Sequence, residues 1–86
     1  MKKAKKVKLY STKTCPYCMM EKDWLEKEKI DHEVVFVDSN HQEAMNMVQK
    51  TGQMGVPVTE IKYEDGREEF VIGFDKPTLE YYLKSN

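Results

Sequence analysis

Between Lys6 and Asp38 the chain changes its hydrophobic period twice, and this change constrains the fold more than any other feature. "KVKLY" at 6–10 alternates polar and apolar side chains, the period-two pattern of a half-buried strand. Residues 16–29 then contain no glycine and no proline after Pro16, and are rich in Met, Glu, Lys and Leu, all good helix formers. On such a helix Cys18, Trp24 and Leu25 share one apolar stripe, with Lys22, Glu26 and Lys29 outside it. "HEVVFVD" follows, in which Val34, Val35, Phe36 and Val37 are apolar without alternation, as suits an interior strand of a parallel sheet covered on both faces. Strand, helix and strand within about 32 residues make a βαβ unit with a right-handed crossover.

The remaining segments complete the pattern. Asn40 and Glu43 resemble a capping box, and Ala44, Met47 and Val48 face one side of the helix they open. That helix is expected to end near Thr51–Gly52, where glycine takes the left-handed conformation easily. "VPVTEIKY" and "REEFVIGF" flank Asp65–Gly66, a two-residue hairpin signal. "DKPTLEYYLKS" reads as a last helix capped by Asp75, with Leu79, Tyr82 and Leu83 inward. The predicted order is β-α-β-α-β-β-α: an α/β fold with a mixed four-stranded sheet flanked by three helices. At 86 residues the chain has material for one core, so 1–86 is read as a single domain with residues 1–5 as a basic tail.

Charge is unevenly spread. Residues 1–29 carry nine lysines and four acids, a sum of +5, and residues 30–86 carry five Lys/Arg and eleven acids, a sum of −6. Lys2, Lys3, Lys5, Lys6 and Lys8 are read as a solvated tail running into an exposed strand. A net charge of −1 and a pI near 6.1 argue against a nucleic-acid binder. The basic start is not followed by the apolar run of about 7–15 residues that a signal peptide needs. No stretch approaches the roughly 20 apolar residues of a membrane span. A cytoplasmic monomer is therefore expected, in a compartment where disulfides rarely persist as structural staples.

Against that background the two cysteines of "STKTCPYCMM", Cys15 and Cys18, form one close pair at a strand-to-helix junction. Pro16 suits the first helical position. Residues three apart on a helix lie about 5–6 Å from each other, and a disulfide tolerates Cα separations of about 4.4–6.8 Å, so the pair can close and open with little backbone movement. Free N–H groups and the helix dipole at the first turn favour a thiolate on Cys15, moving its pKa from ~8.5 towards neutrality, with Lys13 as an added positive charge. Cys18, one turn inside, lacks free donors. The asymmetry makes Cys15 the attacking sulfur and Cys18 the resolving one. Zinc is the chief rival: Cys15, Cys18 and His32 fit the opening of a finger-like spacing, but His41 follows after eight intervening residues where three to five are usual. A structural disulfide over so short a loop would add little stability. No bound metal is expected.

With strand, helix and strand around CPYC, the chain resembles a glutaredoxin of the thioredoxin-fold superfamily, closest to bacterial and archaeal stand-alone glutaredoxin-like redoxins. "CPYC" is similar to the dithiol signature of that family, Val56–Pro57 in "GVPV" to its Val–cis-Pro, and "GFDK" at 73–76 to its Gly followed by an Asp-containing segment. The resemblance covers nearly all of the chain after the lysines. It implies a thiol–disulfide oxidoreductase acting in electron transport and cell redox homeostasis on disulfide-containing proteins, with glutathione as reductant and no bound cofactor. It also implies substrate or glutathione contacts from Lys13, Tyr17, Val56, Pro57, Gly73 and Asp75. Bottom-up, the lesser alternative for Pro57 is an ordinary strand-starting proline, and Gly73 either turns the chain near the thiols or ends a strand. The chain departs from the family at Thr12, where lysine is common, at Gly55 in place of Thr, at Lys76 in place of a second Asp, and at Glu21, where small or apolar residues are usual. Redoxins that reduce ribonucleotide reductase take electrons from thioredoxin reductase instead, and this chain resembles them in body. A metal or iron–sulfur carrier using both cysteines across a dimer is the alternative from another class.

Overall fold

Seven elements alternate along the chain in the expected order, and the computed structural model describes residues 4–84. They are β1 (Ala4–Ser11), α1 (Pro16–Lys27), β2 (Glu33–Phe36), α2 (His41–Thr51), β3 (Val58–Tyr63), β4 (Glu68–Ile72) and α3 (Lys76–Lys84). The sheet order is β2-β1-β3-β4. β1 and β2 are parallel, with Tyr10 opposite Val35, whereas β3 is antiparallel to both β1 and β4. This is the mixed four-stranded sheet of a thioredoxin fold.

Strand alternation sends side chains to two cores. Leu9, Ile61, Tyr63 and Val71 face Trp24 and Leu25 of α1 and Leu79 of α3. Tyr10, Val35 and Val58 face Met47 of α2. One helix covers this second face, and charged groups complete it. The Tyr10 hydroxyl donates to Glu60 (3.3 Å), Lys50 pairs with the same buried carboxylate (2.8 Å), and Lys8 pairs with Glu43 (3.4 Å).

Four expectations need correction. β2 is an edge strand, because it pairs with β1 alone. Its apolar run reflects coverage of two faces, Val34 packing on the α1 side and Val35 on the α2 side, and Phe36 remains 39% exposed. The hairpin between β3 and β4 spans three residues rather than two. The Gly66 N–H donates to the Tyr63 carbonyl (3.0 Å) and the Tyr63 N–H to Arg67 (2.9 Å). Only Gly66 of the dipeptide takes a positive φ, 92°, where a two-residue type I′ turn needs two such residues. α1 stops before Lys29: Ile30 N–H bonds Leu25 O (3.0 Å) and Lys29 N–H bonds Glu26 O (3.1 Å), with Lys29 at φ 58°. That is a Schellman closure, and Ile30 packs on the core that contains Leu25. Lastly, Ala4 and Lys5 belong to β1 and not to a tail; Lys2 and Lys3 lie outside the described residues.

The other caps form as expected. The Asn40 side chain accepts the Glu43 N–H (3.2 Å), and Gly52 ends α2 at φ 74°. Among the described residues no helix is long and apolar enough to cross a membrane.

Candidate active site

The strand register gathers the candidate residues at one end of the sheet. Tyr10 of β1 lies opposite Val58 of β3, and Val58 lies opposite Ile72 of β4. The segments 12–15, 52–57 and 73–75 therefore leave the sheet from the same edge, and bring Lys13, Cys15, Val56, Pro57, Gly73 and Asp75 with them.

Cys15 is the N-cap of α1, in extended backbone at φ −102°, with Pro16 in the first turn. Cys15 and Cys18 are joined by a disulfide with Cα atoms 5.2 Å apart. The Cys18 N–H donates to Cys15 Sγ at 3.1 Å, so one of the orphan amides of the helix start is aimed at that sulfur. No acidic side chain stands in the first turn to oppose it. Cys15 is partly exposed, whereas Cys18 is 1% exposed. Of the two residues, Cys15 is the more accessible and Cys18 is enclosed.

Lys13 holds its loop through its backbone, donating to the Asp38 carboxylate at 3.2 Å, and its exposed side chain has no ion pair among the described residues. Asp38, which sequence reasoning did not single out, thus ties the loop after β1 to the loop after β2. Tyr17 is 64% exposed between the cysteines. Lys13, Cys18, Met19, Lys22, Val34 and Phe36 line a cleft of about 210 Å3 on the β2 side of the helix. No sequence signal indicated it, because it forms only once β2 takes the edge.

The Val56–Pro57 peptide is cis. Gly73 donates its N–H to the Pro57 carbonyl (2.8 Å) at φ 83°, so it turns the chain rather than merely ending β4. A Cβ there would meet no atom within 4 Å. Gly73→Ala is accordingly expected to cost only the left-handed backbone penalty, about 1–2 kcal/mol, as read by urea denaturation. Asp75 caps α3 as anticipated: its carboxylate accepts the Thr78 N–H (3.4 Å) and the Thr78 hydroxyl (2.8 Å).

The residues of the rival zinc reading sit apart from such a role. His32 Nδ1 lies 2.8 Å from the Ile30 carbonyl, before β2 begins, and His41 opens α2. Among the described residues, no three His, Cys, Asp or Glu side chains gather as a metal ion requires.

Glu21 is the feature that sequence reasoning noted without explaining. It is 0% exposed and bonded to the Thr59 hydroxyl of β3, and its Oε1 has no partner. Burial pushes its carboxyl up to about 7, against a smaller lowering by Thr59. The signal was present: position 21 falls midway along the stripe formed by Cys18, Trp24 and Leu25.

Comparison with known proteins agrees with this geometry. The Glutaredoxin family profile matches residues 7–64. A glutaredoxin-like 8.6 kDa protein of the Clostridium pasteurianum rubredoxin operon, itself uncharacterized, is 36% identical over 78 residues, 91% of this chain and 97% of that one. Among solved structures, the glutaredoxin of Archaeoglobus fulgidus superposes with a TM-score of 0.77 at 24% identity, covering 93% of this chain and 87% of the other. A thioredoxin-like protein gives 0.79 at 24% identity, covering 91% and 94%. The profile and the relative carry the assignment, the structures carry the fold, and together they establish that the chain belongs to the glutaredoxin family.

Proposed function

We propose that the protein is a dithiol thiol–disulfide oxidoreductase that reduces protein disulfides or glutathione mixed disulfides through Cys15 and Cys18. The observation that carries this reading is the unequal setting of the two sulfurs. Cys15 is partly exposed and accepts an amide at the start of α1, while Cys18 is enclosed behind it. In the reduced protein the same amide and the helix dipole favour a Cys15 thiolate.

Cys15 attacks one sulfur of the substrate disulfide. A Cys15–substrate bond forms, the substrate S–S bond breaks, and the leaving sulfur takes the electron pair and then a proton. Cys18 next attacks Cys15 Sγ, breaks the mixed disulfide and releases the second substrate thiol. Two electrons have moved from the dithiol to the substrate, and Cys15–Cys18 is oxidised. The Val56 backbone has no hydrogen-bond partner among the described residues, which suits strand-like pairing with an extended substrate. Tyr17 and Lys13 flank the same edge, and Gly73 holds the turn beside Pro57. A cytoplasmic setting and a monomer are part of the proposal.

Glutathione is the proposed reductant, with Asp75 available to its amino group. One observation favours a second donor: the Asp75 carboxylate already serves Thr78, and its neighbour is the cation Lys76. That pair is a poor cradle for a ligand amine and favours thioredoxin reductase. A coupled NADPH assay decides. Oxidation of NADPH with glutathione and its reductase supports the first donor, and oxidation with thioredoxin reductase alone supports the second. Activity with neither, together with stoichiometric zinc or iron in the purified protein, would replace the enzyme with a metal carrier.

A further inference from the structure

We propose that Glu21 is the proton carrier of the resolving step, its carboxylate accepting the Cys18 thiol proton as Cys18 attacks the mixed disulfide; this rests on the dithiol reading above.

The need is set by Cys18. Cys18 is 1% exposed, with Lys13 and Lys22 among the residues lining the cleft beside it; its amide is already directed to Cys15, and burial holds a thiol in its protonated form. An enclosed thiol attacks slowly unless a base nearby takes its proton. Glu21 is one helical turn further along α1, at the spacing that puts two side chains on one face about 5–6 Å apart. Its Oε2 is held by Thr59, and its Oε1 is buried with no partner. A group placed for stability alone would have both oxygens satisfied or be replaced by an apolar residue.

The other elements packed against Glu21 present no competing charge. Thr59 lies in register between Leu9 of β1 and Val71 of β4, and Leu79 of α3 belongs to the same apolar cluster. Tyr63, four residues along β3 from Thr59, and Tyr82 of α3 are the titratable groups of that cluster, and burial pushes both hydroxyls up, so they stay neutral. On the carboxyl's own helix face Tyr17 is 64% exposed, which leaves Cys18 as the buried titratable neighbour. A carboxyl that titrates near neutral pH, as burial makes this one, is matched to accepting and returning a proton under working conditions.

The step balances. Glu21 carboxylate takes the Cys18 proton, and the Cys18 electron pair forms the bond to Cys15 Sγ. The bond from Cys15 to the substrate sulfur breaks, its pair leaves on that sulfur, and Glu21 gives its proton up to the departing thiolate or to solvent.

Stopped-flow reaction of the reduced protein with an aryl disulfide that releases a coloured thiol separates the two steps. The first release reports attack by Cys15, and the second reports attack by Cys18. Glu21→Gln is expected to leave the first release unchanged. It should slow the second on the order of a hundredfold near neutral pH and remove its inflection there, while Glu21→Asp retains an inflection. A second release that keeps the wild-type rate and pH profile in Glu21→Gln overturns the inference. Absence of either release from the wild-type protein would instead overturn the dithiol reading. Should Glu21→Gln fail to fold, carbon-detected NMR titration of the wild-type Glu21 carboxyl decides. Its midpoint moves when the disulfide is reduced if the two groups share a proton, and an unmoved midpoint sinks the proposal.

Discussion

Cys15→Ser is expected to abolish turnover, a loss on the order of 1000-fold or more, as for other covalent nucleophiles. Serine keeps the cap geometry and can accept the Cys18 amide. Its hydroxyl, however, stays protonated where a thiol at that helix start ionises. Cys18→Ser should behave differently: the first attack proceeds and the mixed disulfide accumulates, visible by mass spectrometry as a glutathione or substrate adduct on Cys15. The asymmetry follows from exposure and from the direction of one hydrogen bond, since Cys15 Sγ accepts the Cys18 N–H and Cys18 is buried. Adducts accumulating on Cys18 in the Cys15 variant would reverse the roles.

Glu21→Gln is expected to make the protein more stable, and only above acidic pH. Burial pushes the folded carboxyl up to about 7, against 4.5 for an unburied glutamate. The folded chain therefore holds a proton that the unfolded chain has released between those limits. Stability is full below the unfolded pKa, falls as pH rises through that window, and levels off above about 7. Glutamine keeps an oxygen for Thr59 and never ionises, so the gain at alkaline pH is on the order of 3.5 kcal/mol, from roughly 1.4 kcal/mol per pKa unit. Urea midpoints of both proteins across this range test it; parallel pH dependences would show that the carboxyl is not the cause. With the kinetic expectation for the same variant, this describes a position held at some cost in stability.

Much of the architecture was legible because its causes are local. The change from alternating to helical period marked β1 and α1, and Pro16 behind Cys15 marked the junction between them. Asn40, Gly52 and Asp75 cap or end helices by contacts within a few residues, so their types declare their positions. Asp65–Gly66 marked a turn but not its length, since a single positive φ selects the three-residue form and dipeptide chemistry permits either. Val34 to Val37 read as an interior strand because coverage of both faces and a central place in the sheet leave the same apolar trace. Glu60 and Glu21 are acids in strand and helix patterns that would ordinarily put them in water. Partners distant in sequence, Lys50 and Tyr10 for one and Thr59 for the other, hold them inside.

The sequence by itself determined the order of elements, the helix caps and a close cysteine pair at the head of a helix, because period, capping and spacing act over one or two turns of chain. Tertiary structure alone decided that β2 lies at the edge and that three loops meet beside the sulfurs. It also decided that the Glu21 carboxyl is sealed inside against Thr59 of β3. Each of these depends on which strands pair and on what one face of the sheet then covers, contacts whose free energy exists only when segments tens of residues apart come together.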